Sequence, residues 1–90
     1  MKYDWDPKKA EANLIKHGVS FEDGIEVFGD PLVLDRFDET HSETEIRFNS
    51  IGMTQNGILF VVFAVYDSEI IWIISVRRAT GRETREYYEK

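Results

Sequence analysis

The sequence predicts an α+β domain: two N-terminal helices, a four-stranded antiparallel sheet and a C-terminal helix. Three observations carry that prediction. Helix caps and apolar residues at helical spacing occupy the chain before residue 30. β-Branched and aromatic runs broken by turn residues occupy positions 31 to 78, and a Thr-x-x-Glu signal at Thr80 opens the final segment.

Asp6 before Pro7 reads as an N-cap and first helical residue, and Gly18 as the stop, which gives a helix over 7–17. Its wheel puts Ala10, Asn13, Leu14 and His17 on one face, with Lys9 and Lys16 beside them. A short extended piece at Tyr3 to Trp5 precedes it. Ser20 and Asp23 have capping-box spacing, and Phe21, Ile25 and Phe28 follow at i, i+4, i+7 before Gly29, so a second helix is expected there despite Gly24. From Pro31 the period changes. "LVLDRF" and "TEIRFNSIGM" read as strands joined by the polar loop "DETHSE", and Asn56-Gly57 supplies a turn. The continuous apolar run "ILFVVFAVY" is a strand buried on both faces, hence central. A turn at Asp67 and Ser68 leads into "EIIWIISVRR", and Thr80 with Glu83 caps a last helix over 81–89.

A central strand apolar on both faces needs cover on both sides. The first two helices can cover one face, and the C-terminal helix or a partner chain the other. Strict alternation in the last strand sets Ile71, Ile73, Ser75 and Arg77 one way and Trp72, Ile74, Val76 and Arg78 the other, so the two arginines diverge.

The chain has 90 residues, which suits a single domain over 1–90, and it has no cysteine, which removes disulfides and thiolate chemistry. No apolar run reaches signal-peptide or membrane-span length, so a soluble cytoplasmic protein with no membrane contact is expected. The net charge of −6 is unevenly spread. Residues 19–45 hold nine acids against the single base Arg36, a balance of −8 that leaves +2 for the rest. An anionic ligand is therefore compatible with a local site, although long-range attraction is weaker than in a basic protein.

Arg77, Arg78, Arg82 and Arg85 fall within nine residues. One reading makes them an anion site. Another has them brace the C-terminal helix on the sheet through ion pairs, with Glu86 and Glu89 as partners. His17 beside Lys16 at a helix end can move a proton near neutral pH while the ammonium holds a phosphate, or it can simply cap and pack. His41 sits in a loop. Two histidines without cysteine give no metal signature, and neither a glycine-rich phosphate loop nor a Ser-His-Asp pattern is present, so no cofactor is expected.

The stretches "WDPKKAEANLIKHGVSFEDGIEVF", "DP" at 30–31, "HSETEIRF" and "IISVRRATGRETREYY" together resemble BrnT, the toxin of the BrnT–BrnA type II toxin–antitoxin systems. The resemblance spans nearly the whole chain. It implies a RelE-like ribonuclease fold, an activity against RNA that arrests translation, and neutralisation by a BrnA-like antitoxin in a 2:2 complex that touches operator DNA only through the antitoxin. The family's polar pattern falls on Lys9, Asn13, Lys16, His17, Glu45, Arg47, Ser75, Arg77, Arg78, Glu83 and Tyr87.

Metal-free RNA cleavage drives the 2′-hydroxyl onto its own phosphate, which needs a proton acceptor, a proton donor and fixed cations. On the matched positions, Arg77 or Arg78 with Arg47 is expected to clamp the phosphate. His17, Glu83 or Tyr87 transfers protons, and Lys9, Lys16 and Arg82 hold the RNA backbone. Trp72 stands where the family commonly has arginine, and its indole can stack on a base. That departure and the acidic pI of about 4.8 leave a second reading open, a weak or inactive antitoxin-binding module that acts in operon repression. The nuclease reading asks the guanidinium groups to converge on one phosphate-sized spot while carboxylates keep away from it.

Overall fold

The structure, a computed structural model, describes residues 1–38 and 45–90. The chain runs β1 (Lys2–Asp4), α1 (Pro7–His17), α2 (Phe21–Ile25), a 3-10 turn (Glu26–Gly29), β2 (Leu34–Asp38), β3 (Arg47–Thr54), β4 (Gly57–Tyr66), β5 (Ile70–Arg78) and α3 (Gly81–Glu89). The first and last helices have the predicted bounds and caps. Asp6 accepts from the Lys8 N–H at 2.9 Å, Gly18 at φ 73° closes α1, and Thr80 and Glu83 form a complete capping box.

The second helix is shorter than predicted. Its α geometry ends at Ile25, and the chain tightens into a 3-10 turn that carries Phe28. Asp30 precedes a proline and is extended, with φ −77° and ψ 117°, so the helix had to stop there. Gly24 presses α2 against the sheet: a Cβ at that position would sit 2.6 Å from Val76 Cγ2.

The four-stranded antiparallel sheet of the sequence reading is corrected to a five-stranded mixed sheet in the order β1-β5-β4-β3-β2. The fifth strand is the short N-terminal piece, which pairs parallel to β5 through Lys2↔Ile70, Tyr3↔Ile71 and Asp4↔Trp72. Three residues carry no usable period, so sequence alone could not pair them. The central position of β4 stands as expected.

A second correction concerns β5. Val62 pairs with Ser75 and Phe63 with Ile73, so Ile74 is an extra residue and the strand bulges. Beyond the bulge the alternation reverses. Val76 joins Ile71 and Ile73 in the larger core, while Arg77 pairs with Phe60 and turns to the opposite face. The two arginines still diverge, but with their faces exchanged.

The larger core unites Val19, Phe21 and Val27 from the helical segments with Leu59, Val61, Phe63, Ile71, Ile73 and Val76 from the sheet. On the other face a smaller core joins Ile51 and Phe60 to Tyr87 of α3. Both faces of β4 are thus covered, the second only in part. Among the described residues, no helix is long and apolar enough to cross a membrane.

Because β1 ends opposite Trp72, the far half of β5 is left as a sheet edge. Asn13, 8% exposed, completes it. Its Nδ2 donates to the Val76 carbonyl at 2.8 Å and to the Val19 carbonyl at 3.3 Å, and its Oδ1 accepts from the Val76 N–H at 3.2 Å. The carboxamide acts as one residue of a missing strand and locks α1 beside β5. Asn13→Ala strands buried backbone groups and is expected to cost about 2 kcal/mol, roughly 10 °C in melting temperature for a chain of this size. A thermal melt that matches wild type would contradict this role.

Candidate functional site

Cross-strand pairing arranges the face opposite the larger core into rows. One row runs Leu34, Ile51, Phe60, Arg77; the next Arg36, Asn49, Val62, Ser75; the next Asp38, Arg47, Ala64, Trp72. α3 packs on β3, with Tyr87 buried against Ile51 and Phe60 at the first row. The polar rows lie beyond it.

Arg77 spreads over the Phe60 ring, its guanidinium carbon 4.1 Å from the centroid, and makes two bonds to Glu83, at 2.7 and 2.9 Å. The same carboxylate accepts the Thr80 N–H, so the capping box of α3 and the ion pair share one side chain. One turn on, Glu86 accepts from Arg36 at 2.6 Å, and Arg36 Nε donates to the Asn49 side chain at 3.0 Å. The Arg82 guanidinium lies 3.9 Å from Glu86. Two glutamates spaced i, i+3 on α3 thus gather arginines from β2, β5 and α3 itself.

A neighbouring group forms at the rim. Arg47 donates to Glu45 at 3.2 Å, the Tyr66 hydroxyl donates to the same carboxylate, and the Tyr66 ring meets Trp72 edge to face at 6.4 Å. The Tyr66 hydrogen bond holds the Glu45 carboxyl below its ordinary range, helped by Arg47 and by the charge of Lys9. Arg36, Arg47 and Arg77 keep 34%, 33% and 32% of their side chains exposed, enough for a ligand to reach each of them.

Burial is the largest influence on Glu83 and pushes its carboxyl up. The bonds from Arg77 and Thr80, with the Arg77 charge, outweigh it and hold the group below its usual value. The same pairing raises Arg77.

The structure brings Arg77 to Glu83 and Arg82 to Glu86, one turn further along α3; on the same sheet face Arg47 and Trp72 share a row two rows away from Arg77, and the charge of Lys9 acts on Glu45 there. It separates others. Arg78 lies on the opposite face, where its Nη1 donates to the Asn56 carbonyl at 2.7 Å. Tyr87 is 5% exposed, and its hydroxyl donates at 2.5 Å to Asp30, which raises the phenol to about 12. Lys16 is exposed and His17 half-buried at the end of α1, and among the described residues the His17 side chain has no hydrogen-bond or ion-pair partner. His41 lies outside the described residues.

The expectation that carboxylates keep their distance is overturned: Glu45, Glu83 and Glu86 each hold an arginine. In the sequence the arginines stand out as a run, whereas the folded cluster takes acids from α3 and from the residues just before β3. Sequence reasoning missed Arg36, Asn49 and Tyr66. The alternation of "LDRFD" was a usable signal for Arg36, because it sets that residue on the face of Leu34 and away from Phe37.

Three helical segments on a five-stranded mixed sheet, with arginines and glutamates gathered on the less covered face, define a small α+β domain with a charged sheet-face site. The family model for "Ribonuclease toxin, BrnT, of type II toxin-antitoxin system" matches residues 5–83. Among solved structures, the crystal structure of the Brucella abortus ribonuclease toxin BrnT is similar, with TM-score 0.67 and 32% identity over 89% of this chain and 97% of that one. A comparison with curated proteins finds no match. The chain belongs to the BrnT family of ribonuclease toxins of type II toxin–antitoxin systems.

The depressed carboxyl of Glu83 fixes the sign of one pH effect. A group whose folded value lies below its unfolded value of about 4.5 stabilises the fold above that pH, and the contribution fades as pH falls through the folded value. Glu83→Gln is therefore expected to flatten the decline of melting temperature on acidification below about pH 4.5. Equal acid slopes for the two proteins would contradict the assignment.

Proposed function

We propose that this chain is an endoribonuclease toxin that cleaves RNA without a metal, thereby arresting translation, and is neutralised by a BrnA-like antitoxin. The observation that carries the reading is the Arg77–Glu83 pair, a guanidinium and a mostly buried carboxylate at the junction of β5 and α3.

In this reaction the 2′-oxygen attacks phosphorus, its proton passes to a base, the bond from phosphorus to the 5′-oxygen breaks, and that oxygen leaves with a proton. The products are a 2′,3′-cyclic phosphate and a 5′-hydroxyl. A phosphate entering the site competes with Glu83 for the Arg77 fork, which matches two oxygens of either anion. Once Arg77 turns to the phosphate, Glu83 loses that bond and charge while its burial remains, so its basicity rises. Substrate binding thus converts an inert ion pair into a phosphate clamp and a proton acceptor.

Arg36 and Arg47 hold adjacent charge, Arg82 and Lys9 contact the backbone, and Lys16 steers it. Trp72 with Tyr66 offers a base a stacking surface worth about 1–3 kcal/mol. The leaving oxygen takes its proton from water in this reading, since His17 stays at the end of α1. Tyr87, buried with its phenol raised to about 12, stays with the core, and Arg78 serves no part of this face. The 2:2 assembly and contact with operator DNA through the antitoxin belong to the same reading.

A second reading has a specific observation in its favour: each of Arg36, Arg47 and Arg77 already has a carboxylate partner. A chain whose cations stay paired binds an antitoxin without cutting RNA.

Purified protein incubated with RNA in chelator is expected to release fragments ending in 2′,3′-cyclic phosphate. Arg77→Ala and Glu83→Gln should each lower the rate by about 100-fold or more, while Arg78→Ala stays near wild type. Intact RNA with every protein, joined to unimpaired growth when wild type is expressed without antitoxin, would favour the second reading instead.

A further inference from the structure

On the face opposite the arginines, the helical segments leave part of the larger core open. A groove of about 340 Å³ remains there, lined by Phe28, Asp35, Phe48, Phe63, Val65 and Ile71. It lies along a row of ring contacts. Phe28 meets Phe63 edge to face at 5.0 Å, Phe63 stacks on Phe48 at 5.7 Å, and Phe48 meets Phe37 at 5.9 Å. The row ends on β2, the outer strand of the sheet, where Phe37 is 51% exposed, and Val65 is 38% exposed. An open aromatic run of this kind on a small domain marks an interaction surface.

We propose that this groove, with the outer edge of β2, is where the antitoxin docks, through a segment that presents apolar side chains flanked by lysine or arginine. The proposal rests on the antitoxin-neutralised reading given above. Two observations choose this occupant. The first is charge. Among the described residues Asp35 is the one charged side chain lining the groove, and the segment that supplies both Phe28 and Asp35, residues 19–38, holds six acids against one base, a balance of −5. A second copy of this chain would bring like charges together, whereas a basic segment gains from both the apolar floor and the acidic surround. The second is the strand edge. Among the described residues β2 has a sheet neighbour on one side only, so its outer backbone can take an added strand, whose alternate side chains would fall beside Phe37. Asp35 accepts a hydrogen bond from the buried Ser50 hydroxyl, which holds its carboxylate in place at the groove.

Docking here leaves Arg77 and Glu83 on the far face, so binding and cleavage should respond to different substitutions. The test uses the full chain and the antitoxin encoded in the same operon, with affinity measured by calorimetry and cleavage by the chelator assay. Phe37→Asp and Val65→Asp should each weaken antitoxin binding at least tenfold while RNA cleavage by the free toxin stays within twofold of wild type. Asp35→Asn keeps the Ser50 bond and should reduce the salt dependence of binding. Circular dichroism melts check that both exposed positions tolerate the change, and either variant alone suffices if the other unfolds. Antitoxin affinity unchanged in the Asp variants overturns the groove assignment while the nuclease reading stands. Failure of wild type to bind the antitoxin at all overturns the partner reading and the groove with it. A wild-type dimer in sedimentation that Phe37→Asp dissociates would overturn the proposal in favour of self-association.

Discussion

β5 has to serve two incompatible neighbours, and the single inserted residue at Ile74 lets it do so. Before the bulge, Ile71 and Ile73 face the larger core; after it, Val76 does. Without the insertion, Val76 would turn to the charged face and Arg77 would enter the apolar space beneath α2. A guanidinium buried there without a partner is far more costly than a local kink in a strand. The bulge also aims the strand end so that Ala79 donates to the Ile58 carbonyl at 2.9 Å and Thr80 can cap α3. Core, helix start and arginine placement all follow from that one residue. The Asn13 bridge to Val76 holds the same stretch of strand from its open edge.

The charged face then acquires its character from α3. Each glutamate that draws an arginine inward removes one free cation from the surface and leaves a fork that is already oriented and partly exposed. The more exposed of these pairs contribute little to stability, about 0–1 kcal/mol each. Their value is in organisation: they hold several guanidinium groups from separate elements in one place without the repulsion that unpaired cations would suffer. A polyanion can then exchange with carboxylates one arginine at a time. In the proposed nuclease, the acidic composition that would oppose a polyanion at long range supplies these placeholders.

Much of this was legible in the sequence, for reasons that differ by element. α1 and α3 could be read to the residue because a cap and a stop are local chemistry: Asp6-Pro7 and Gly18 for one, Thr80 with Glu83 for the other. β4 could be placed centrally because an unbroken apolar run has only one comfortable position in a sheet. β1 was only glimpsed as an extended piece, because its pairing is between residues nearly 70 apart and three residues have no period of their own. The bulge was invisible: nothing in "IIWIISVRR" marks Ile74 as the extra residue, and a strict period of two sends every later side chain to the wrong face. For the candidate site, the types were legible and the partnerships were not. Glu83 and Arg77 were both singled out, yet Arg36 was counted only as the lone base of an acidic stretch, since its partner Glu86 lies 50 residues away.

β2 connects the two faces more directly than any other element. Its alternation puts Phe37 over Phe48 on the groove side and Arg36 against Asn49 and Glu86 on the charged side, so adjacent residues of one five-residue strand belong to both surfaces. An outer strand is held by one neighbour and is the least constrained part of a sheet. A partner that grips Phe37 and adds a strand beyond β2 would fix that strand's position, and with it the reach of Arg36 toward α3. Because Glu86 also faces Arg82, the ion-pair cluster would be tied to the state of the groove across the thickness of a single sheet. The proposed neutralisation, if it runs through this route, would need no side chain of the partner to enter the charged face. It needs only that the arginines remain with their glutamates when the strand is held.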